Sequence, residues 1–471
     1  MSRQTFGIIV STRSFFPSHL VKEAREGIST LLDKLGHAYV MVGEEDTHLG
    51  AVINLDEAKK CAALFTEHKS SISGIIVVLP NFGDELGVAE AIDRADLAVP
   101  VLVQACSDDF DQLGMEQRRD AFCGKISLCN NLRQRGIPFS LTQSHACALD
   151  SPGFVADVER FAAICRVVRG LKNNRIAMLG SRPLAFGSVR FSEKILQRHG
   201  ISVQTVDLSE VLATAAALDD TVAIAARAEE ICTYGRICEG VGKEKITLQA
   251  RLSIAMEQWV DDLDCQASTV QCWDSLQHNY GCAACLSMSM MGEKGRPSAC
   301  ESDVTGAFSM LAAQLAADST PALMDWNNNV NDEADRCIAL HCANFPKSFF
   351  GGTEIEIASL DVLGSTLGSE RTFGAVKGQV APGAMTFVRI STDDTLGVMK
   401  MYVGEGEFES GSVDTKGGVA LCRVAGLQQL LRHICQEGFE HHVCFVRGHV
   451  ADVLAEAMGR YMGVAVHRHG A

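Results

Sequence analysis

Two carboxylates and one histidine, from distant parts of the chain, have the residue types of a metal centre. Glu301 lies in the run ACESDVTGAF, Asp325 follows the apolar run Pro321 to Met324, and His442 is the second histidine of a pair. Two carboxylates and an imidazole suit a hard to borderline divalent cation such as Mn²⁺, with water or substrate oxygens completing its coordination. The set therefore indicates a cation-binding site.

Each of these residues also has a purely structural explanation. Glu301 and Asp303 precede a strongly apolar helix, where acidic side chains interact favourably with the exposed amides. Asp325 falls at the end of an expected buried strand, a place used by α/β enzymes for reactive groups but also by ordinary turns. His442 stands beside apolar residues and can be read as a core histidine. The combination, not any single residue, carries the prediction.

The first 172 residues have the pattern of an α/β domain. Short apolar runs alternate with amphipathic stretches, as a parallel sheet covered on both faces requires. The runs are Phe6 to Val10, Tyr39 to Val42, Gly74 to Leu79 and Val101 to Ala105. Ligands collect at the carboxyl ends of such strands, so Ser11 to Arg13 and 81–85 are candidate site loops.

The same pattern restarts at residue 173 and defines a second α/β domain, 173–350, which carries Glu301 and Asp325. The segment NNRIAMLGSRP combines a polar start, a buried strand and a glycine turn. The spacing of Gly180 and Gly187 matches neither a phosphate-binding P-loop nor the GxGxxG fingerprint. We therefore expect two Rossmann-like doubly wound domains and no nucleotide cofactor.

Residues 351–471 form a third, β-rich domain that carries His442. Alternating segments such as 353–357, 383–390 and 397–403 are separated by Gly, Pro and Asp, which is typical of antiparallel strands in a barrel or sandwich. Helical patterns return at 425–437 and 451–462.

Composition narrows the choice of partners and compartment. The net charge of -16 opposes non-specific attraction to nucleic acid or anionic membranes, so we expect a small uncharged or modestly charged substrate. The sequence shows neither a signal-peptide pattern nor a membrane-spanning apolar stretch, which predicts a cytoplasmic protein. Most of its 18 cysteines are then expected to be reduced core residues. Cys282 and Cys285 have CxxC spacing, compatible with zinc or redox chemistry, but apolar packing is the favoured interpretation.

Four features together resemble the L-fucose isomerase and L-arabinose isomerase superfamily. They are the run ACESDVTGAF, the 24-residue step from Glu301 to Asp325, the pair His341-Cys342 and the C-terminal HHV…GHV. The similarity is best in 271–346 and 438–465 and weaker over the first two domains. It implies two α/β domains followed by a mostly antiparallel β-barrel.

The resemblance assigns roles to the candidate residues. It makes Glu301 and Asp325 both metal ligands and proton-transfer groups, and it makes His442, rather than His441, the metal-binding histidine. His341 matches a site residue that is a ligand in one branch of the superfamily, so ligand and supporting roles stay open.

Two further residues come under the same resemblance. Arg13 resembles an arginine that reaches the sugar, in some cases in a neighbouring subunit's site; a solvent-exposed loop arginine is the alternative. Trp273 could stack on the sugar or belong to the core. The family precedent is a homohexamer.

The implied activity is interconversion of an aldose and a ketose through a cis-enediol. Two carboxylates and a cation supply what this reaction needs: proton transfer at C1 and C2, and an electrophile for the developing negative charge. The sugar is left open among a hexose, a deoxyhexose, a pentose and a substituted hexose, including a sulfonated one. The alternatives are an inactive sugar-binding or regulatory protein and a metal-dependent epimerase or aldolase.

Overall fold

The computed structural model describes residues 3–470, which form two compact units. The first unit holds the residues up to Gly170 together with Glu456–Gly463, and the second holds Leu171–Ala455 and the segment from Val464 onward. The elements that begin in the first part of the chain are β1 (Thr5–Val10), α1 (Ser18–Lys34), β2 (Ala38–Met41), α2 (Leu55–Glu67), β3 (Gly74–Leu79), α3 (Glu85–Ala95), β4 (Val101–Ala105), α4 (Ala121–Gln134), β5 (Ser140–Leu141) and α5 (Pro152–Leu171).

The first unit is built on one parallel sheet with strand order β2-β1-β3-β4-β5. Successive residues of each strand enter different cores: Ile75 and Val77 pack on one face, and Ile76 and Val78 on the other. Both faces are therefore buried, which explains why the strands read as continuous apolar runs. The four strands expected from these runs are confirmed, with ends shifted by one residue at most.

The second unit contains the remaining elements. They are β6 (Arg175–Leu179), α6 (Glu193–Arg198), β7 (Ser202–Val206), α7 (Leu208–Ala217), α8 (Thr221–Tyr234), β8 (Arg236–Ile237), α9 (Lys243–Asp262), β9 (Ala267–Val270), α10 (Ser275–Asn279), α11 (Cys285–Glu293), β10 (Ser298–Ala299), α12 (Val304–Ala317), β11 (Ala322–Asn329), β12 (Arg336–His341), β13 (Glu356–Ser359), α13 (Asp361–Leu367), β14 (Phe373–Gln379), β15 (Gly383–Asp393), β16 (Val398–Phe408), β17 (Gly418–Arg423), α14 (Leu427–Gln436), β18 (His442–Arg447), α15 (Ala451–Glu456) and β19 (Ala465–Arg468).

Two sheets organise this second unit. A parallel sheet has the order β10-β9-β6-β7. A ten-stranded sheet has the order β19-β16-β15-β18-β11-β12-β17-β14-β13-β8, and a short second pairing joins β16 to β17. This large sheet is mixed, because β14 with β17, β16 with β19 and β8 with β13 run parallel while its other pairs are antiparallel. The predicted α/β class is confirmed.

The position of Asp325 differs from the expectation. We expected it at the end of a strand, but β11 continues to Asn329, so Asp325 lies inside the strand. The polar run after Met324 reads as a loop by composition, whereas cross-strand pairing with β12 extends the strand through a bulge near Trp326. As a result, Asp325 is held by two neighbouring strands.

Among residues 3–470, no helix has both the length and the apolarity needed to span a membrane.

Candidate metal centre

Glu301 is delivered by a tight turn between β10 and α12. Glu301 and Ser302 both adopt left-handed backbone conformations, with φ of 55° and 56°. The helix cap is Asp303, whose Oδ1 accepts a hydrogen bond from the Gly306 amide at 2.8 Å. Asp303 therefore caps the helix, and the buried Glu301 side chain does not.

The large sheet supplies the other three polar groups. Asp325 on β11 is the register partner of His442, the first residue of β18. Directly opposed residues of antiparallel strands have Cα atoms only about 4.5–5.5 Å apart, so this pairing brings the two side chains together. His341 is the last residue of β12, the strand on the other side of β11.

These side chains converge on a small space lined by donor atoms. His442 Nε2 lies 3.6 Å from Glu301 Oε2 and 3.6 Å from Asp325 Oδ1. His341 Nε2 lies 3.5 Å from the same Glu301 oxygen. Both carboxylate oxygens are buried and have no hydrogen-bond partner among residues 3–470. A buried carboxylate oxygen without a partner is costly, which makes this space electrostatically unsatisfied as it stands.

Asp303 fixes the orientation of His442. His442 Nδ1 donates to Asp303 Oδ2 at 2.8 Å, which leaves Nε2 facing the carboxylates. Arg389 holds the other side of Asp303 through two contacts of 2.5 and 3.0 Å, and Arg389 Nε donates to Glu440 at 3.0 Å. Burial alone raises the pKa of Asp303, but Arg389 and His442 more than offset it and hold that pKa well below its ordinary value. Asp303 is thus a permanent anion behind the histidine.

The negative charge of the site acts on both histidines. Burial lowers the pKa of His442, but its hydrogen bond to Asp303 and the Glu301 and Asp325 carboxylates raise it overall. For His341 the burial effect is likewise outweighed, by Cys342 and the same two carboxylates, and its pKa is raised. Positive charge is therefore favoured in the space between these groups.

The donor set fits a divalent cation. Asp325, His341 and His442 can each present one ligand atom within 4.8 Å of the others, and Glu301 Oε2 contacts both histidines. A cation with bonds of about 2.1 Å holds neighbouring ligand atoms about 3 Å apart, close to the spacing here. The Asp303–His442 contact is the kind of outer hydrogen bond that orients metal-binding histidines. A cation would satisfy the two unpartnered oxygens.

Arg13 is one of the two remaining predicted site residues. Arg13 belongs to the first unit, where its Nε donates to the Gly83 carbonyl at 2.7 Å and its guanidinium pairs with Glu85 and covers the Phe82 ring at 4.3 Å. Arg13 is thus engaged within its own unit rather than a free loop arginine.

Trp273 belongs to the second unit and is partly buried. Its ring packs edge-on against Phe186 at 5.3 Å, and it borders the apolar cluster that also contacts Cys342. Its indole nitrogen is buried without a hydrogen-bond partner. Trp273 therefore packs as a core residue but also carries an unpaired N–H donor. Both predicted roles, core residue and sugar contact, stay predictions.

Cys272 and Cys300, beside the centre, were not singled out in the sequence analysis. Cys282 and Cys285 are buried and free, and Cys272 and Cys300 lie next to Glu301. Cys272 Sγ contacts Glu301 Oε1 at 3.4 Å, and burial with the nearby carboxylate raises the pKa of Cys272 to about 11. Cys272 had no signal in the sequence, and Cys300 stood out only as the neighbour of Glu301. The positioning pair Arg389 and Glu440 had none, because the sheet brings them in from β15 and from the residues before β18.

Comparisons with known proteins identify the family of the chain. Residues 7–172 match the N-terminal domain described as fucose/sulfoquinovose isomerase, and residues 339–469 match the C-terminal domain of L-fucose isomerase. A sulfoquinovose isomerase of Alkalicoccus urumqiensis is 25% identical over 86% of this chain and 88% of its own length. Sulfoquinovose isomerases of Priestia aryabhattai and Priestia megaterium are each 24% identical over 78% of this chain and 79% of theirs.

The α/β fold, the carboxylate–histidine centre and these matches define a sugar isomerase of the aldose–ketose class. The chain belongs to the L-fucose isomerase-like family, as the resemblance in its motifs predicted.

Proposed function

We propose that this chain is a divalent-cation-dependent isomerase that converts a sulfonated aldohexose into its ketose, with Mn²⁺ as the cation. The observation that carries the proposal is the convergence of Glu301 Oε2 and Asp325 Oδ1, both without partners, on the same nitrogen of His442 at 3.6 Å. The sulfonated substrate is taken from the relatives named sulfoquinovose isomerase.

Glu301, Asp325 and His442 would hold the cation, with His341 as a fourth group. When bound, the cation would supply positive charge that aligns two adjacent sugar oxygens and offsets the charge of the enediolate. With Nδ1 donating to Asp303, His442 presents Nε2 to the cation, so its proposed role is binding and not proton transfer.

Glu301 and Asp325 are the proton-transfer groups in this proposal. Removal of the C2 proton, and its return at C1, require a carboxylate next to both carbons. Glu301 is buried, whereas the Asp325 side chain is 23% exposed, so one carboxylate lies on the closed side and the other on the open side of the centre. The closed side excludes water from the transferred proton, and the open side lets the sugar enter.

A loop beside Trp273 could recognise the sulfonate. Phe186 packs on Trp273, and the loop that carries Phe186 also bears Arg182 and Arg190. Arg182 Nη1 donates to the Phe186 carbonyl at 3.1 Å, and its Nε and Nη2 have no partner among residues 3–470, so they can bind an anion. We include Trp273 as a sugar contact, because its unpartnered indole N–H can donate to a hydroxyl.

Further proposals concern a β-barrel, the division into domains and the oligomeric state. The short β16–β17 pairing would close β15, β16, β17, β12, β11 and β18 into a barrel. The division into domains 1–172, 173–350 and 351–471 stays a prediction, with strands of the last two sharing one sheet. We further propose a homohexamer in which Arg13 reaches the sugar of a neighbouring subunit.

A sugar panel tests the substrate. With Mn²⁺ present, sulfoquinovose, glucose, L-fucose and L-arabinose are each assayed for ketose formation. We expect the highest kcat/KM for the sulfonated sugar, and we expect Arg182→Gln to raise KM about tenfold for that sugar alone, since a hydrogen bond to a charged group contributes about 1.5–3 kcal/mol. Highest activity on a neutral sugar would overturn the proposed substrate. Tight sugar binding without turnover would favour a binding protein. A C2 epimer or a cleavage product would favour an epimerase or an aldolase.

A further inference from the structure

Four cysteines cluster beside Glu301 and His341. Cys272 follows β9, Cys285 begins α11, Cys300 follows β10 and Cys342 follows β12. All four are free thiols, and the Cys300 thiol interacts with each of the other three. Folding therefore gathers sulfur atoms from four separate elements at one place.

Two of these thiols share a compact donor set with residues of the candidate metal centre. Cys300, Glu301, His341 and Cys342 can each present one ligand atom, and these four atoms all lie within 4.8 Å of one another. His341 stands between the two groups: its Nδ1 lies 3.6 Å from Cys342 Sγ and its Nε2 lies 3.5 Å from Glu301 Oε2.

The composition of this set differs from that of the neighbouring centre. Two thiols, one imidazole and one carboxylate are the ligand types of Zn²⁺, usually four in number and tetrahedral. Zinc bonds of about 2.3 Å to sulfur and about 2.0 Å to nitrogen or oxygen place ligand atoms about 3.3–3.8 Å apart, which needs only small shifts from the arrangement here. Carboxylates with imidazole suit harder cations such as Mn²⁺ instead.

We propose that Cys300, Cys342, His341 and Glu301 form a second cation site, selective for thiophilic ions such as Zn²⁺ or Cd²⁺. It lies on the sulfur side of Glu301 and shares two residues with the hard-cation centre. Nothing about the isomerase reaction requires it, so it goes beyond the proposed function.

The site shares Glu301 and His341 with the candidate metal centre, so an ion bound there should inhibit the isomerase. This consequence rests on the proposed function. A zinc ion on the sulfur side draws Glu301 and His341 away from the space beside His442. Low concentrations of Zn²⁺ should therefore inhibit Mn²⁺-dependent turnover, and Cys300→Ala and Cys342→Ala should each weaken that inhibition at least about tenfold, since each removes one of four ligands.

X-ray absorption at the zinc edge tests the site in the unaltered full-length protein. The reduced protein is freed of metal and given one equivalent of Zn²⁺. We expect a first shell with two sulfur and two nitrogen or oxygen neighbours. A shell without sulfur would overturn the proposal, and this measurement needs no variant to fold.

A Cd²⁺ titration then assigns the sulfur ligands. Ultraviolet absorption from thiolate-to-cadmium charge transfer should saturate at one equivalent in the wild-type protein and in Cys444→Ala, a buried cysteine on β18 outside the cluster. The band should be lost in Cys300→Ala and in Cys342→Ala. A band that survives in both would overturn the assignment.

These outcomes are independent of catalysis. A sulfur shell in a protein that isomerises no sugar would sink the proposed function and leave the second site in place. Isomerase activity in a protein whose zinc shell lacks sulfur would do the reverse.

Discussion

At the scale of single residues, the centre depends on two carboxylate oxygens that the fold buries without partners. Glu301 Oε2 and Asp325 Oδ1 face one imidazole nitrogen, and Asp303 holds that imidazole from behind. Glu301 and Asp325 are proposed to bind and to transfer protons, whereas Asp303 is a positioning residue. Substitutions that change charge but not shape separate these roles.

Glu301→Gln should abolish turnover while the protein stays folded. The amide is nearly isosteric with the carboxylate but cannot accept the C2 proton, and general-base catalysis contributes about 10²–10⁴-fold. We expect kcat to fall by at least that factor with little change in the unfolding temperature. Glu67→Gln, at the exposed end of α2, is the control. A collapsed Glu301→Gln protein would instead support a structural role for the glutamate.

Asp303→Asn should weaken both folding and metal binding. It removes the charge that partners the buried Arg389 guanidinium, and breaking a buried ion pair costs about 3–5 kcal/mol. It also releases His442, and loss of such an orienting contact lowers metal affinity about 10–100-fold. Denaturant unfolding measures the first effect and Mn²⁺ titration the second. Unchanged Mn²⁺ affinity in a folded Asp303→Asn protein would remove Asp303 from the centre.

At the scale of elements, strand register and one strained turn position the centre. The β11–β18 register sets Asp325 opposite His442, and it leaves the neighbouring His441 side chain 45% exposed. The turn after β10 uses two consecutive left-handed residues to aim Glu301. Each feature gives a test.

Register distinguishes the two adjacent histidines. His442→Ala should lower Mn²⁺ affinity more than about 100-fold, because it removes a ligand and the group that Asp303 orients. His441→Ala should change it less than about threefold, although His441 Nε2 lies 3.8 Å from Asp325. Isothermal titration of both variants compares them directly, and equal losses would contradict the register argument.

The strained turn predicts an order of stability. Ser302 has a φ of 56° and a buried hydroxyl without a partner. Ser302→Gly and Ser302→Ala both remove the hydroxyl, but only glycine adopts this conformation freely. The glycine variant should therefore have a free energy of unfolding about 1 kcal/mol higher than the alanine variant. Equal stability would show that the turn carries no strain.

Many of the strands and candidate site residues could be predicted from the sequence. The features that could not be predicted were missed for physical reasons. Apolar runs predicted the strands of the first sheet because both faces are buried, and residue types together with the family resemblance predicted Glu301, Asp325 and His442 as site residues. The predicted strand ended at Asp325 because the residues that follow are polar. Cross-strand hydrogen bonds hold these residues in the strand, and such bonds leave no local pattern in the sequence. Arg389 and the clustered thiols depend on long-range pairing, so spacing along the chain could not reveal them.

At the scale of the whole molecule, the candidate centre in the second unit is proposed to work within an oligomer. The comparisons establish the family, and the hexamer and the reach of Arg13 are proposals. If Arg13 contributes to the site of a neighbouring subunit, two variants with different defects can together form a complete active site.

Subunit mixing tests that arrangement. Arg13→Ala and Glu301→Gln proteins, each of low activity, are dissociated, mixed and reassembled. Mixed oligomers contain some sites with both native residues, so activity should return to a measurable fraction of wild type. If Arg13 acts only within its own chain, no mixed site is complete and activity stays at the level of the parent variants. Sedimentation of each sample checks that reassembly occurred.

The most direct test of the central claim follows the C2 hydrogen of a sulfonated aldohexose in heavy water. Metal-depleted protein, the same protein restored with Mn²⁺, and Mn²⁺-loaded Glu301→Gln are compared by NMR. We predict deuterium incorporation with ketose formation in the restored wild-type sample alone. Isomerisation that survives full removal of the metal, or that continues in Glu301→Gln at the wild-type rate, would contradict the account.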